Sequence, residues 1–176
     1  MADLASHFLV NYIAGVRLTN RTSLGFLVTG ALLPDLASRV PRVLLNGAVE
    51  RAWIEPTTTT YRAILGLDFP HTPVGVLLCA ALIALVLPAR LANPPGRGAV
   101  AKMLCFGGWL HLAVDSTQLH LMPGYRYLYP LSIEAFELGW ISTEHSLLAI
   151  PLLAVTAWLV GRRSTTRGGP SEPSAG

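Results

Sequence analysis

The chain has 176 residues, of which 13% are charged and 52% hydrophobic, and its formal net charge is +3. An ordinary soluble domain is roughly 25% charged, and a chain this short has too little interior to hide so much apolar surface. The composition therefore points to lipid as the partner of that surface, ahead of a soluble helical protein with an apolar interface. The basic residues are scattered without an aromatic-interleaved stripe, which argues against nucleic acid.

Residues 4–16 read as a helix with Asp3 as its N-cap, and Asp3, His7 and Asn11, four apart, make one polar stripe on an apolar rod. Those polar residues, and the lack of a basic leading region, argue against a signal peptide, so residues 1–17 read as part of the mature structure. A second apolar helix over 23–33 is expected to end at Pro34-Asp35. The more polar stretch 36–70 suggests a helix around 42–55 and a loop at Thr57–Thr60. Residues 74–87 form a third apolar helix, within an uncharged stretch from Thr72 to Ala89 that is adequate for a membrane span of about 17–25 residues. A turn at 92–96 leads into a helix over 100–119. A loop rich in Gly, Pro and Tyr follows over 120–143, then a last helix over 145–160 and a disordered tail over 161–176. Cys79 and Cys105 lie in apolar runs without CxxC spacing and read as small hydrophobes.

The chain thus reads as one all-α domain over 1–160, a multi-pass membrane bundle of about four to five helices. Arg90, Arg97 and Lys102 flank one short loop, and Arg162, Arg163 and Arg167 follow the last helix. Basic residues favour the cytoplasmic side, which places the tail in the cytoplasm of a protein integral to the inner or plasma membrane. Arg39, Arg42, Arg51 and Arg62 oppose that orientation. The polar residues His7, Asp35, His71, Asp115 and His145 gather toward the opposite end of the bundle in this arrangement.

His111 and Asp115 carry the clearest chemical signal. At i and i+4 of an apolar helix they leave the same face, and ionisable groups in such a setting usually mark a site. Taken singly, each candidate has a plainer reading. His111 and Asp115 could satisfy one another, His7 could contact Asp3 or Asn11, Asp35 could close a helix, and His71 could cap the next. Jointly they put three histidines and two aspartates at one end of a small bundle, with His7, Asp35, His71, His111 and Asp115 as metal ligands. Imidazole and carboxylate suit zinc first, with manganese or iron as alternatives, and one or two ions. Asp68, three residues before His71, reads equally as a partner orienting that imidazole or as a turn aspartate. No GxSxG elbow, phosphate-binding glycine loop or dinucleotide fingerprint competes.

The order His7, Gly30 to Asp35 (GALLPD), His71-Thr72, His111 to Thr117 (HLAVDST), Gly124 and Tyr129-Pro130 resembles the YdjM-like family over about residues 1–131. Its members are described as membrane-bound, predicted metal-dependent hydrolases. The order of ligands is more distantly similar to zinc-dependent phospholipase C. That likeness implies that Asp35, His71, His111 and Asp115 hold one ion and that His7 and Asp115 share a second. The phospholipase's later HxxxE pair is missing, since Ala149 stands four after His145. His120 falls opposite the His111 face, and Glu134, Glu137, Glu144 and His145 read as loop or helix-cap residues.

The expected function is metal-dependent hydrolysis of a phosphoester or lipid-derived substrate through a metal-activated water, with Asp115 and His111 as catalytic residues. The alternatives are a divalent-metal carrier or sensor, or a structural membrane protein whose polar residues pack helices together. Membrane lipid and a small-molecule or lipid substrate are the expected partners.

Overall fold

A computed structural model of the protein describes residues 4–17, 19–46, 69–92, 95–119, 126–129, 131–132 and 134–166. The described helices are α1 (Leu4–Gly15), α2 (Arg21–Asn46), α3 (Pro73–Val86), α4 (Ala89–Ala92), α5 (Arg97–Thr117) and α6 (Thr143–Thr166). A 3-10 turn over Phe69–His71 leads into α3. Two short parallel strands, β1 (Gln118–Leu119) and β2 (Ile141–Ser142), tie the end of α5 to the start of α6.

Helix α5 is central, packing most extensively on α2 and next on α3, while α1 packs on α2 and α6. The core follows helical spacing. Val76, Ala80 and Ala84 of α3 meet Val100, Leu104, Cys105 and Leu112 of α5, and Leu27 and Ala31 of α2 are also buried. The α2–α5 crossing is unusually close because glycine faces backbone on both sides. A Cβ on Gly30 would collide with the Leu104 carbonyl, and one on Gly107 with the Leu27 carbonyl. Asp35 lies about one turn beyond Gly30 and His111 one turn beyond Gly107, so the crossing sets how near those two side chains come.

Two boundaries differ from the sequence expectation. Helix α2 does not stop at Pro34-Asp35 but continues to Asn46. An interior proline loses one hydrogen bond and crowds the carbonyl four residues back. Here that residue is Gly30, and both Pro34 and Asp35 are almost fully buried. Packing of the ring against the bundle offsets the lost bond. The segment expected as a helix around 42–55 is therefore the end of α2 as far as Asn46, and the remainder lies outside the described residues, as does Thr57–Thr60. Helix α6 continues past Gly161 to Thr166, with Pro151 inside it.

The multi-pass membrane bundle is overturned, and with it the integral location in an inner or plasma membrane and the orientation drawn from the arginines. Among the described residues no helix is long and apolar enough to cross a membrane. Helix α3 has 14 residues, about 21 Å of rise against a hydrocarbon core of about 30 Å. Helices α2 and α5 are longer, but α2 carries Arg21, Asp35, Arg39 and Arg42, and α5 carries Arg97, Lys102, His111 and Asp115. The apolar excess lies instead on exposed rows, with Leu78, Leu82 and Leu85 on α3 and Leu148, Leu152 and Val155 on α6.

Candidate metal centre

Four segments bring the five sequence-selected side chains together. Helix α1 supplies His7, α2 supplies Asp35, the 3-10 turn supplies His71, and α5 supplies His111 and Asp115. None is more than 3% exposed. The 3-10 turn is fixed locally. The Thr72 hydroxyl donates to the Phe69 carbonyl at 2.8 Å and accepts from the Gly75 amide at 2.9 Å, which caps α3. Pro73 begins the helix, where its missing N–H costs nothing. A Cβ on Gly75 would strike the Phe69 carbonyl, so only glycine lets the turn fold down on α3 and carry His71 inward. The Trp109 indole donates to the Pro73 carbonyl at 3.3 Å, fastening this corner to α5.

Asp115 sits between two imidazoles. Its Oδ1 lies 3.1 Å from His7 Nε2 and its Oδ2 lies 3.1 Å from His111 Nε2. Asp35 Oδ1 lies 3.4 Å from His71 Nε2. The His7 and His111 rings stack with centroids 3.8 Å apart and planes 24° apart, while the His71 ring is tilted 57° to His111 at 5.5 Å. Ligand atoms of His7, Asp35 and His111 lie within 4.8 Å of one another, and so do those of His71, His111 and Asp115. These buried groups could hold a metal ion.

The plainer reading, in which the pairs merely satisfy each other, fits less well. Charge-assisted N–H···O bonds run at about 2.7–2.9 Å. The ring nitrogens of His7 and His111 and both oxygens of Asp115 are buried without a hydrogen bond of proper geometry. Buried polar atoms left in that state are costly, and an ion among them would remove the cost.

Electrostatics favour opposite charges within the cluster. Burial alone would lower the His111 pKa, but the adjacent Asp115 carboxylate, with Asp35 and the backbone of Ala31, raises it above its ordinary value. Burial alone would raise Asp115, but the imidazoles of His111 and His7 hold its carboxyl well below the usual range. Asp115 is therefore an anion, suited to meet a cation.

Three further residues adjoin the cluster. Asn11, one turn after His7, is fully buried. Its amide donates to the His7 carbonyl at 3.0 Å, while its Oδ1 has no hydrogen-bond partner. Gln118, three residues after Asp115 where α5 gives way to β1, is 3% exposed with Oε1 likewise unpartnered. The Tyr127 hydroxyl donates to the Leu112 carbonyl at 3.1 Å, and burial, with the charges of Asp115 and Glu137, pushes its pKa up. The sequence marks Asn11 and Gln118 only as polar residues in apolar helices, and the periodicity that aligns them with the histidines is their available signal. Tyr127 has none, because it arrives through a long loop.

The late acidic residues stay apart. His145 is exposed at the start of α6, with Nδ1 2.7 Å from the Ser142 hydroxyl. Glu134 is exposed, and neither it nor Glu137 joins the ligand groups. Asp68 and His120 lie outside the described residues. Comparison with protein-family models, with curated proteins and with solved structures finds no match to this chain.

Proposed function

We propose that the protein is a metal-dependent hydrolase acting on a phosphoester or a lipid-derived ester, with His7, Asp35, His71, His111 and Asp115 holding its metal. The observation that carries this reading is the convergence of five buried imidazole and carboxylate side chains from four segments, with ligand atoms within 4.8 Å of one another in two groups. The order of these residues, similar to that of the YdjM-like family, supports the same reading. Imidazole nitrogen with carboxylate oxygen favours zinc, ahead of manganese and iron. A divalent ion held there would polarise an ester oxygen and lower the pKa of a bound water.

The chain's own residues supply the rest. The five side chains are buried, which strengthens every charge interaction among them. Asp115, kept ionised by its neighbours, can hold an ion, and His111 Nε2, 3.1 Å from it, can join it as a ligand. The experiment is hydrolysis of a panel of phosphoesters and phospholipids by purified protein, with and without zinc or manganese. Metal-stimulated turnover that disappears in Asp115→Asn is the expected result. Equal activity in Asp115→Asn and the parent protein would remove the catalytic assignment.

A further inference from the structure

One nitrogen of His7 faces the carboxylate and the other is left over. Nε2 lies 3.1 Å from Asp115 Oδ1, while Nδ1 is buried with no hydrogen-bond partner. A neutral imidazole carries its proton on one ring nitrogen and a lone pair on the other. When Nε2 gives its lone pair to an ion, Nδ1 must hold the proton, and a buried N–H without an acceptor is costly.

An acceptor stands one turn away. Asn11 is fully buried on α1, four residues after His7 and so on the same face. Its Nδ2 donates to the His7 carbonyl at 3.0 Å, a bond only the nitrogen end of the amide can make, so the other end is the oxygen. That oxygen, Oδ1, is likewise buried without a partner. Residues four apart on a helix have Cβ atoms about 5–6 Å apart. Nδ1 is the ring nitrogen nearer the backbone of α1, and the Asn11 amide is tied to that backbone at His7 itself. Nε2 lies on the far edge of the ring, toward Asp115. The spare acceptor and the spare donor position are thus neighbours on one helix face.

We infer that Asn11 is the positioning residue of His7: its Oδ1 accepts the Nδ1 proton as the ring turns to bring Nε2 onto the ion, and so fixes which nitrogen binds. The two atoms are not bonded in this structure, and the turn of the ring is what joins them. An acceptor of this kind holds the ring's orientation and raises its basicity. The inference rests on the metal-dependent reading above.

The test uses the full chain with isotope-labelled histidine, loaded with zinc and read by nuclear magnetic resonance and equilibrium dialysis. In the parent protein His7 should carry its proton on Nδ1, shifted to low field by the bond to Asn11. Asn11→Leu removes both the donor and the acceptor, whereas Asn11→Asp removes the donor alone. Asn11→Leu should lose the low-field shift and bind zinc about 10–100-fold more weakly. Asn11→Asp should keep the shift and stay close to the parent in affinity. Were the bond from Nδ2 to the His7 carbonyl all that Asn11 provides, both variants would lose affinity alike, and that result would overturn the assignment. Affinity kept in Asn11→Asp without the low-field proton would be the effect of added charge and would overturn it too. Zinc bound through Nδ1 of His7, with metal-stimulated hydrolysis intact, would overturn the role of Asn11 and leave the hydrolase reading standing. A parent protein that binds neither zinc nor manganese would overturn both. Should Asn11→Leu fail to fold by circular dichroism, the Nδ1 proton in the parent and in Asn11→Asp decides the question.

Discussion

Asp115 meets two imidazoles with two different oxygens, so replacing it by asparagine removes more than one contact. The amide keeps the shape but lacks the charge, and one of its two ends becomes a donor. Metal affinity is expected to fall by at least about 100-fold, the upper range for loss of a mere supporting partner, with the helical signal retained. Equilibrium dialysis against zinc measures the first and circular dichroism the second. The same residues give the metal-free protein two pH limbs. Asp115 is depressed in the fold, so its contribution is present above the unfolded carboxylate pKa of about 3.9 and is lost as pH falls through the folded value. His111 is raised, so its contribution is full below about pH 6.5 and is lost as pH rises through the folded value. Metal binding needs the imidazoles unprotonated. The rise in melting temperature on adding zinc should therefore grow between about pH 6 and about pH 8. Thermal melts with and without zinc across that range check the sign, and a stabilisation that shrinks toward alkaline pH would contradict it.

At the level of helices, the α2–α5 crossing makes a paired test. Gly30→Ala drives a Cβ into the Leu104 backbone, which cannot yield as a side chain can. A destabilisation of about 1–3 kcal/mol is expected, together with weaker metal binding as Asp35 moves away from His111. Gly25→Ala, five residues earlier on the same helix, meets nothing within 4 Å and should stabilise by up to about 1 kcal/mol through helix propensity alone. Urea unfolding of both variants measures the difference. The crossing also marks where the sequence stops being legible. Helices α1, α3 and α5 follow from apolar runs in the sequence, because that signal is local. The run of α2 through Pro34 depends on the burial of that ring, which no local signal reports. The five candidate ligands stand out as ionisable residues in apolar runs. Which imidazole faces which carboxylate oxygen, and the stacking of His7 on His111, depend on helix crossings set by glycines whose neighbours lie far away in the chain. Length of apolar sequence likewise misled the membrane assignment, since an uncharged stretch need not be a helix of the same length. Thr72 is a cap and the helix after it stops at Val86.

For the molecule as a whole, the apolar excess in the composition resides on exposed rows rather than in spans. Leu82 and Leu85 of α3 are 60% and 63% exposed. Contiguous apolar surface of this kind is a site of association. Leu82→Glu with Leu85→Glu should change stability by no more than about 1 kcal/mol, while reducing binding of a hydrophobic dye to the native protein; fluorescence titration and urea unfolding test the two halves. Removing metal should act globally, because the ligands come from segments far apart in sequence. At an ion concentration about 1,000-fold above its dissociation constant the stabilisation is about 4 kcal/mol, or roughly 10 °C in melting temperature for a chain of this size, read by scanning calorimetry before and after chelation. The seat of α1 between α2 and α6 imposes an order on biosynthesis. A ribosome delivers α2, the turn at His71 and α5, with four of the five ligands, before α6 exists. His7 leaves the ribosome ahead of them all and can meet His111 and Asp115 once α5 follows, yet its helix gains its flanking neighbour only when α6 emerges. In the growing chain the earliest ligand is thus the last to be locked in place.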